Sequence, residues 1–470
     1  MSSRLTTLVI VSVPFQRLVR SHLSPLFLDF LSRQSMVAVV SPFAFQPDFT
    51  DQHRGPAIQH VFGPSENDIS WIARKLFAVS TLLRTQGYYF RFRSELSYYW
   101  RSRHISYLAN GCDCRFPLQY RLISDFLALI GYWRGAWKLF DELHAEWSYK
   151  CPALTALANG YDEVILIQSA SWGFQDAALA SLARKGHWRT VLIPYTIDQL
   201  HCNGYLYSDF ASVCVQGSNE YRFARKFHNV SEQRIVKLGS VYMRVLNSAM
   251  KERVHTACNA GSKKKRIMYA GLTPQYFPEV CEIEAVNTIS RFIIDKFGEN
   301  WELLYRPARH SREFLLDISN KLHFPEKVLV DIPSPNSLGL DSYVVSNALS
   351  AVENIVDLFS NMELLVTSTM TSLSLEAAFF GVPSIIYFPE DNQMLRSRQT
   401  DLLYPKETGP LCMESVPVAR NMIELIKLVE EVLSSFEMQQ EIATALIKEW
   451  DYPDADFEHL LDKAVFDASY

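Results

Sequence analysis

Two series of short apolar runs, separated by longer amphipathic stretches, constrain this 470-residue chain more than any other feature. In the first half the runs are residues 7–13, 36–40, 163–168, 190–194, 212–216 and 234–238. Between them, stretches such as 174–184 and 219–227 read as helices. A second series follows at 266–270, 302–305, 327–331, 364–367 and 384–388. A strand that is apolar throughout has both faces buried, so runs of this kind alternating with helices predict parallel sheets covered by helices. The stretch 247–265 is polar and ends in Gly261-Ser262-Lys263-Lys264-Lys265, which makes it the expected linker. The sequence thus predicts an α/β domain over 1–246, a second over 266–435, and amphipathic helices over 436–470, broken at Pro453, that pack back across the domains.

Composition excludes several classes of protein. The formal net charge of -5 offers no general excess of cations to a phosphate backbone, so no nucleic-acid partner is expected. Eight cysteines in a chain this long are too few for a disulfide scaffold. Cys112 and Cys114 form only a C-x-C pair, and no cysteine has histidines at metal-ligand spacing, so no metal is expected and a reducing compartment fits. The opening apolar run is short and lacks a small-residue cleavage site, so it reads as a strand rather than a signal peptide. The oily stretch 122–140 carries Asp125, Arg134 and Lys138, and no segment offers the roughly 18 uncharged apolar residues of a spanning helix. The expectation is a cytoplasmic chain that does not cross a membrane.

Residues 67–150 interrupt the first series and read as a helical insertion. Between 71 and 107 there are seven Arg or Lys against one acidic residue, Glu95. Tyr88, Tyr89, Phe90, Phe92, Tyr98, Tyr99 and Trp100 are interleaved with Arg91, Arg93, Arg101 and Arg103. Three readings fit this composition: a helical subdomain with an aromatic core, peripheral contact with an anionic membrane face, and a single-stranded nucleic-acid platform. Composition favours the first two.

The most informative stretch is 364–387. A buried strand ends in the hydroxyl run Thr367-Ser368-Thr369-Met370-Thr371-Ser372, a helix follows, and Gly381-Val382-Pro383 turns into the next strand. Ligands of doubly wound sheets sit at the carboxyl ends of the strands. The following helix points free N–H groups and a partial positive charge there, which suits a phosphate. Thr369, Thr371 and Ser372 add hydroxyl donors, and Glu376, one turn inside the helix, can accept hydrogen bonds from ribose hydroxyls. The bland reading is also available, since Ser and Thr cap helices routinely and a carboxylate is favourable near any helix N-terminus.

The hydroxyl loop, then Leu375-Glu376-Ala377-Ala378, then Gly381-Val382-Pro383 resembles the donor-site signature of GT-B glycosyltransferases. It is similar to the LEPAA-x-G-x-P stretch of Kdo transferases and to patterns in UDP-GlcNAc 2-epimerases and CDP-glycerol glycerophosphotransferases. The resemblance implies a GT-B fold: two Rossmann-like domains facing across a cleft, with the helical insertion in the N-terminal one. It implies ribose binding by Glu376 and phosphate binding by Thr369, Thr371 and Ser372. Ser368 stands where retaining enzymes with paired glutamates carry an acidic residue. Two further strand ends extend the expected donor site. Gly271 and Thr273 follow the run 266–270, and a glycine there permits close backbone approach to a phosphate. Arg306, Arg309 and His310 lie in a segment resembling the R-x-HP stretch of bacterial GT-B enzymes and are placed to neutralise a leaving phosphate.

In the first half, residues 191–204, 213–220 and 234–240 resemble loops of surface-polysaccharide transferases. Sugar transfer needs a base for the acceptor hydroxyl, or a carboxylate nucleophile. Asp198, directly after a strand, is the first candidate and Asp176 the second, with Asp209, Glu220 and His201 behind them. The resemblance therefore implies a metal-independent glycosyltransferase that carries no cofactor. It would use a nucleotide-sugar donor and a surface-glycan or lipid-linked acceptor, as in lipopolysaccharide or capsule assembly, with peripheral membrane contact through 71–107. The hydroxyl-rich loop leans toward CMP-Kdo or CMP-sialic acid among donors. A polyol-phosphate transferase, a sugar-nucleotide epimerase, and a catalytically silent nucleotide-binding assembly partner remain as alternatives.

Overall fold

The computed structural model describes residues 6–15, 18–44, 49, 56–63, 70–92, 126–147, 151–169, 174–197, 199–202, 204–206, 208–256, 264–271, 277–307, 317–318, 320–323, 328–330, 355–369, 371–390, 415–453 and 455–467. The chain forms two compact units. One runs to Val245 and resumes at Tyr452; the other runs from Leu246 to Asp451.

The first unit is built on strands β1 (Thr7–Ser12), β2 (Met36–Val40), β3 (His60–Phe62), β4 (Glu163–Gln168), β5 (Arg189–Leu192), β6 (Ser212–Val215) and β7 (Ile235–Lys237). They pair in the order β3-β2-β1-β4-β5-β6-β7, parallel at every step, with Leu8 opposite Met36 on one side and Val164 on the other. Helices in chain order are α1 (Pro25–Gln34), α2 (Trp71–Arg91), α3 (Arg134–Trp147), α4 (Pro152–Ala158), α5 (Phe174–Lys185), α6 (Gln199–Cys202), α7 (Ser218–Lys226) and α8 (Val241–Thr256). Leu8, Ile10, Val40, Val164 and Leu166 form one sheet face, covered by Leu154 and Ala158 of α4 and by Ala178, Leu179 and Ala183 of α5.

Helix α8 continues through residues 247–256, so part of the polar stretch read as linker is helical. Its apolar Val241, Tyr242, Met243, Val245 and Leu246 are buried and carry the polar remainder in the same helix.

The second unit contains β8 (Lys265–Ala270), β9 (Trp301–Arg306), β10 (Val328–Val330), β11 (Met362–Thr367), β12 (Ser384–Tyr387) and β13 (Val418–Ala419), again all parallel, in the order β10-β9-β8-β11-β12-β13. Its helices are α9 (Glu279–Phe297), α10 (Ser372–Phe379), α11 (Met422–Ser434) and α12 (Phe436–Trp450). Asn421 and Ser435 cap the last two by accepting from Glu424 N–H and Met438 N–H. The chain then returns to the first unit as α13 (Phe457–Val465). There Tyr452 donates to Ser240 O at 3.2 Å, Arg244 to Pro453 O at 2.7 Å and Gln34 to Asp462 Oδ1 at 3.2 Å.

The helical insertion is a hairpin of α2 against residues 126–147. The helices approach so closely that a Cβ on Gly131 would lie 2.0 Å from Leu83 O, and one on Gly87 would lie 2.2 Å from Gly131 C. Farther along, Ser80 bonds Asp141, and His144 sits between Phe77 and Phe174 with ring centroids at 5.5 and 5.3 Å.

Burial lowers the pKa of His144 to about 4, with Arg184 adding repulsion, and burial lowers that of His22 to about 4 as well. Both rings are neutral in the folded chain at pH 7. The unfolded chain takes up these protons from about pH 6.5 downward, and the folded chain only near pH 4, so stability is lost as pH falls through that window. Each site contributes on the order of 3 kcal/mol at the acid end. Urea denaturation at pH 7.0 and 4.5 should show His144→Phe losing less stability on acidification than the parent chain.

Candidate functional site

In the second unit the chain leaves β8 toward β9 and leaves β11 toward β12, in opposite directions, although β8 and β11 are neighbours. The loops after these two strands therefore part, and the crevice between them is the topological switch point where ligands of such sheets bind. Gly271 follows β8 directly, and its N–H donates to Arg306 O, at the end of β9, at 2.9 Å. Ser368 and Thr369 follow β11, both buried, and Thr371 stands at the N-cap of α10 in extended backbone. Gly271, Arg306, Thr369, Thr371 and Ser372 thus all lie at carboxyl ends of strands in one sheet. Thr273, Arg309 and His310 lie outside the described residues.

Helix α10 begins without side-chain capping. Thr371 O accepts from Ser374 N–H at 3.1 Å, while the buried Thr371 hydroxyl has no partner among the described residues. Ser372 is exposed at the first helical position. The end of the helix is fixed by Gly381, at φ 72°, with Val382 N–H returning to Ala377 O at 2.9 Å. A glycine takes that left-handed conformation without strain, which is what turns the helix into β12. Glu376 lies one turn inside and is 7% exposed.

Beneath the loop is a network that the sequence did not announce. Glu282, in the first turn of α9, is buried; Tyr305 donates to its Oε2 at 3.0 Å and Ser368 to its Oε1 at 3.4 Å. Tyr269 Oη lies 3.0 Å from Ser368 Oγ. Three strand ends and a helix are joined through one carboxylate. Burial, reinforced by the charge of Glu282, raises both phenols well above their ordinary range, so they stay protonated and act as donors. A Cβ on Gly271 would meet Glu282 Oε2 at 2.4 Å, so only glycine lets β8 end against this group. The sequence signal is faint: tyrosines with the same parity in paired strands, and an acidic residue in a first helical turn.

In the first unit the switch point lies between β1 and β4. Asp176, in the first turn of α5, is fully buried there and accepts from the Ser12 hydroxyl at the end of β1. Gln175 donates to Ser12 Oγ and to Val40 O, each at 3.1 Å. Asp176 therefore ties α5 to the strand ends rather than facing open solvent. Asp198 lies outside the described residues. Glu220 accepts from Gln216 N–H and so serves the start of α7, and Asp209 pairs with Arg234 at 2.5 Å. His201 is buried against Phe223, with ring centroids at 4.9 Å. A cavity of about 450 Å³ opens at the other, amino end of β6 and β7, lined by Trp137, Asp141, Arg184, Tyr205, His228 and Arg234 among others. Among the described residues no group of three or more His, Cys, Asp or Glu is arranged to hold a metal ion.

No protein-family model matches the chain, and no curated protein matches it by sequence. Solved structures do match in fold. A Listeria monocytogenes protein provisionally described as a UDP-N-acetylglucosamine 2-epimerase aligns over 97% of this chain and 94% of its own, at 10% identity and a TM-score of 0.52. A second UDP-N-acetylglucosamine 2-epimerase aligns over 98% and 95%, at 9% identity and a TM-score of 0.52. A wall teichoic acid polymerase aligns over 97% of this chain and 87% of its own, at 11% identity and a TM-score of 0.46. The likeness to the two epimerase structures is one of fold: the chain has the two-unit α/β architecture of the GT-B type.

Removing the Tyr305 hydroxyl takes one hydrogen-bond donor from Glu282 Oε2 in a buried site, and hydrogen bonds to charged groups contribute about 1.5–3 kcal/mol. Tyr305→Phe should therefore lower unfolding free energy by roughly 2 kcal/mol in urea titration. Tyr305→Phe combined with Glu282→Gln should lose less than the sum of the two single variants, because both remove the same bond.

Proposed function

We propose that this chain is a glycosyltransferase of surface-glycan biosynthesis that moves a sugar from a nucleotide-activated donor to a surface-glycan or lipid-linked acceptor. The observation that carries this reading is the entrance of α10. There a Thr371 hydroxyl with no partner among the described residues and the exposed Ser372 stand at a helix N-terminus, at the switch point between β8 and β11. Free N–H groups and hydroxyl donors there match the oxygens of a phosphate ester, and the helix dipole favours its charge.

In this reading Thr369, Thr371 and Ser372 hold the donor's phosphates while Gly271 lets the backbone approach them. Glu376 accepts from the ribose, and Arg306, with Thr273, Arg309 and His310 in the adjoining loops, offsets the charge that develops on the leaving group. Asp198 serves as base for the acceptor hydroxyl. Asp176, bonded to Ser12 and buried, is the weaker choice because a base must reach the proton it removes. The donor is a CMP-linked acidic sugar or a UDP- or GDP-sugar. The acceptor is reached at the cytoplasmic face of a membrane, through the helical insertion.

A second reading is favoured by one observation: two solved structures that share the fold carry the name UDP-N-acetylglucosamine 2-epimerase. An epimerase converts its nucleotide sugar with no acceptor present, and a transferase requires one.

Thermal-shift measurement with CMP, UDP, GDP and CDP-glycerol should find one nucleotide that raises the melting temperature, by mass action on the native state. Glu376→Ala should abolish that shift and keep a cooperative melt; an undiminished shift removes Glu376 from the site. Asp198→Ala should keep the shift and lose at least a hundredfold in transfer rate, in line with general-base contributions of about 10²–10⁴. Incubating the chain with UDP-N-acetylglucosamine alone and following the sugar's C2 configuration by NMR separates the two readings: interconversion without acceptor supports the epimerase.

A further inference from the structure

None of the residues given a role in sugar transfer above lines the cavity of about 450 Å³ in the first unit. It lies at the amino ends of β6 and β7, whereas the switch point of that sheet lies at the carboxyl ends of β1 and β4. Its volume falls within the roughly 300–1,000 Å³ of small-molecule sites. Helix α3 supplies Trp137 and Asp141, the end of α5 supplies Arg184, and the segment before β6 supplies Tyr205 and Phe210.

Two of these side chains hold a buried polar atom with no partner among the described residues: Trp137 Nε1, a donor, and Asp141 Oδ2, an acceptor. Buried polar atoms are nearly always bonded, so a donor and an acceptor left over on residues of one cavity wall point to a ligand. The two residues are four positions apart on α3 and therefore share one face of it. Both are fixed in place. The Trp137 ring lies along Tyr205, with centroids 6.1 Å apart and 14° between the planes, and Ser80 donates to Asp141 Oδ1, which leaves Oδ2 over. Burial raises the Asp141 carboxyl from its ordinary range, and the charges of Arg84 and Arg184 with the Ser80 bond oppose the rise.

These groups select the chemistry of the ligand. Around the wall Arg184 and Arg234 stand against Asp141, Glu142 and Asp209, and Arg234 is already paired with Asp209 at 2.5 Å. With the charges so nearly balanced, a phosphate would face carboxylates and an ammonium would face guanidinium groups. An apolar ligand would leave Trp137 Nε1 and Asp141 Oδ2 buried and unbonded. A hydroxyl both donates and accepts, so neighbouring hydroxyls on one ring can donate to Asp141 and accept from Trp137 and Arg184. The buried Tyr205, Phe210 and Val213 give an apolar wall for the ring's C–H surface. We propose that this cavity binds a saccharide unit through hydroxyl bonds to Asp141, Trp137 and Arg184. The site goes beyond the transfer reaction proposed above and does not depend on it. Its occupant joins α3 of the insertion to α5 and to the segment before β6.

The test is saturation-transfer difference NMR on the full chain, without nucleotide. The probes are glucose, galactose, mannose and N-acetylglucosamine, the disaccharides maltose, lactose and chitobiose, and acetate and tetramethylammonium as charged controls. At least one sugar should show transfer at a concentration where neither control does. Asp141→Asn keeps an acceptor for Ser80 but puts a donor in place of Oδ2, and should weaken sugar binding by about tenfold or more. Arg184→Gln, at an exposed position, should weaken it by about threefold with an unchanged melting temperature. Silence from every sugar overturns the proposal, as does parent-strength binding in either variant. Acetate transfer that is lost in Arg184→Gln, with the sugars silent, also overturns it and makes the cavity an anion site. A signal confined to monosaccharides identifies a free sugar as the occupant, and one that strengthens with chain length identifies a glycan segment; either supports the site. Sugar binding is read without nucleotide, and nucleotide shift without sugar, so this proposal and the transferase reading fail separately.

Discussion

Strand β8 is bonded to β9 on one edge and to β11 on the other, and Met268, Leu304 and Leu365 across these three strands are almost wholly hidden from water. A sheet buried on both faces has to receive a helix after nearly every strand, because parallel neighbours cannot be joined by a tight turn. With the first strand of the series at the centre, later strands are added first on one side and then on the other. The reversal leaves a notch at the carboxyl ends of the two central strands, in each unit by itself. The location of the candidate site is thus a consequence of hiding apolar surface, before any polar residue is considered.

What the notch can hold is decided by opposing electrostatic features in the second unit. The start of α10 offers partial positive charge, worth about 0.3–1 kcal/mol toward an anion at an exposed position. Close by, on the floor, sits the full negative charge of Glu282, whose desolvation costs several kcal/mol unless hydrogen bonds offset it. Tyr305 and Ser368 supply those bonds, and Tyr269 bonds Ser368 in turn. The carboxylate is thereby turned inward as part of the scaffold. The same commitment appears in the first unit, where Asp176 is spent on Ser12 and so on joining α5 to β1.

Much of this was readable from residue order. The central strands announced themselves as apolar runs, since a strand buried on both faces has few polar residues to blur the pattern. Edge strands β3 and β13, three and two residues long, escaped because such short segments carry no period. The hydroxyl run, Glu376 and Gly381-Val382-Pro383 were legible as strand, loop, helix and turn because each is local. Glu282 was not. Its importance comes from Tyr269, Tyr305 and Ser368, up to 86 positions away, and no sequence window contains such a set. Asp176 was legible as acidic and near a strand end, but its commitment to Ser12, 164 positions earlier, was not.

The sequence by itself determined the fold class, the two series of strands and the loop at the head of α10, because hydrophobic periodicity and turn chemistry act over a few neighbouring residues. Only the tertiary structure decided which carboxylates, Glu282 and Asp176 among them, are absorbed into the scaffold. It also decided that Gly87 and Gly131, 44 positions apart, meet and bring the two helices of the insertion into backbone contact. Burial and hydrogen bonding depend on what lies opposite in space, and that is set by packing between segments rather than by the order of residues along them.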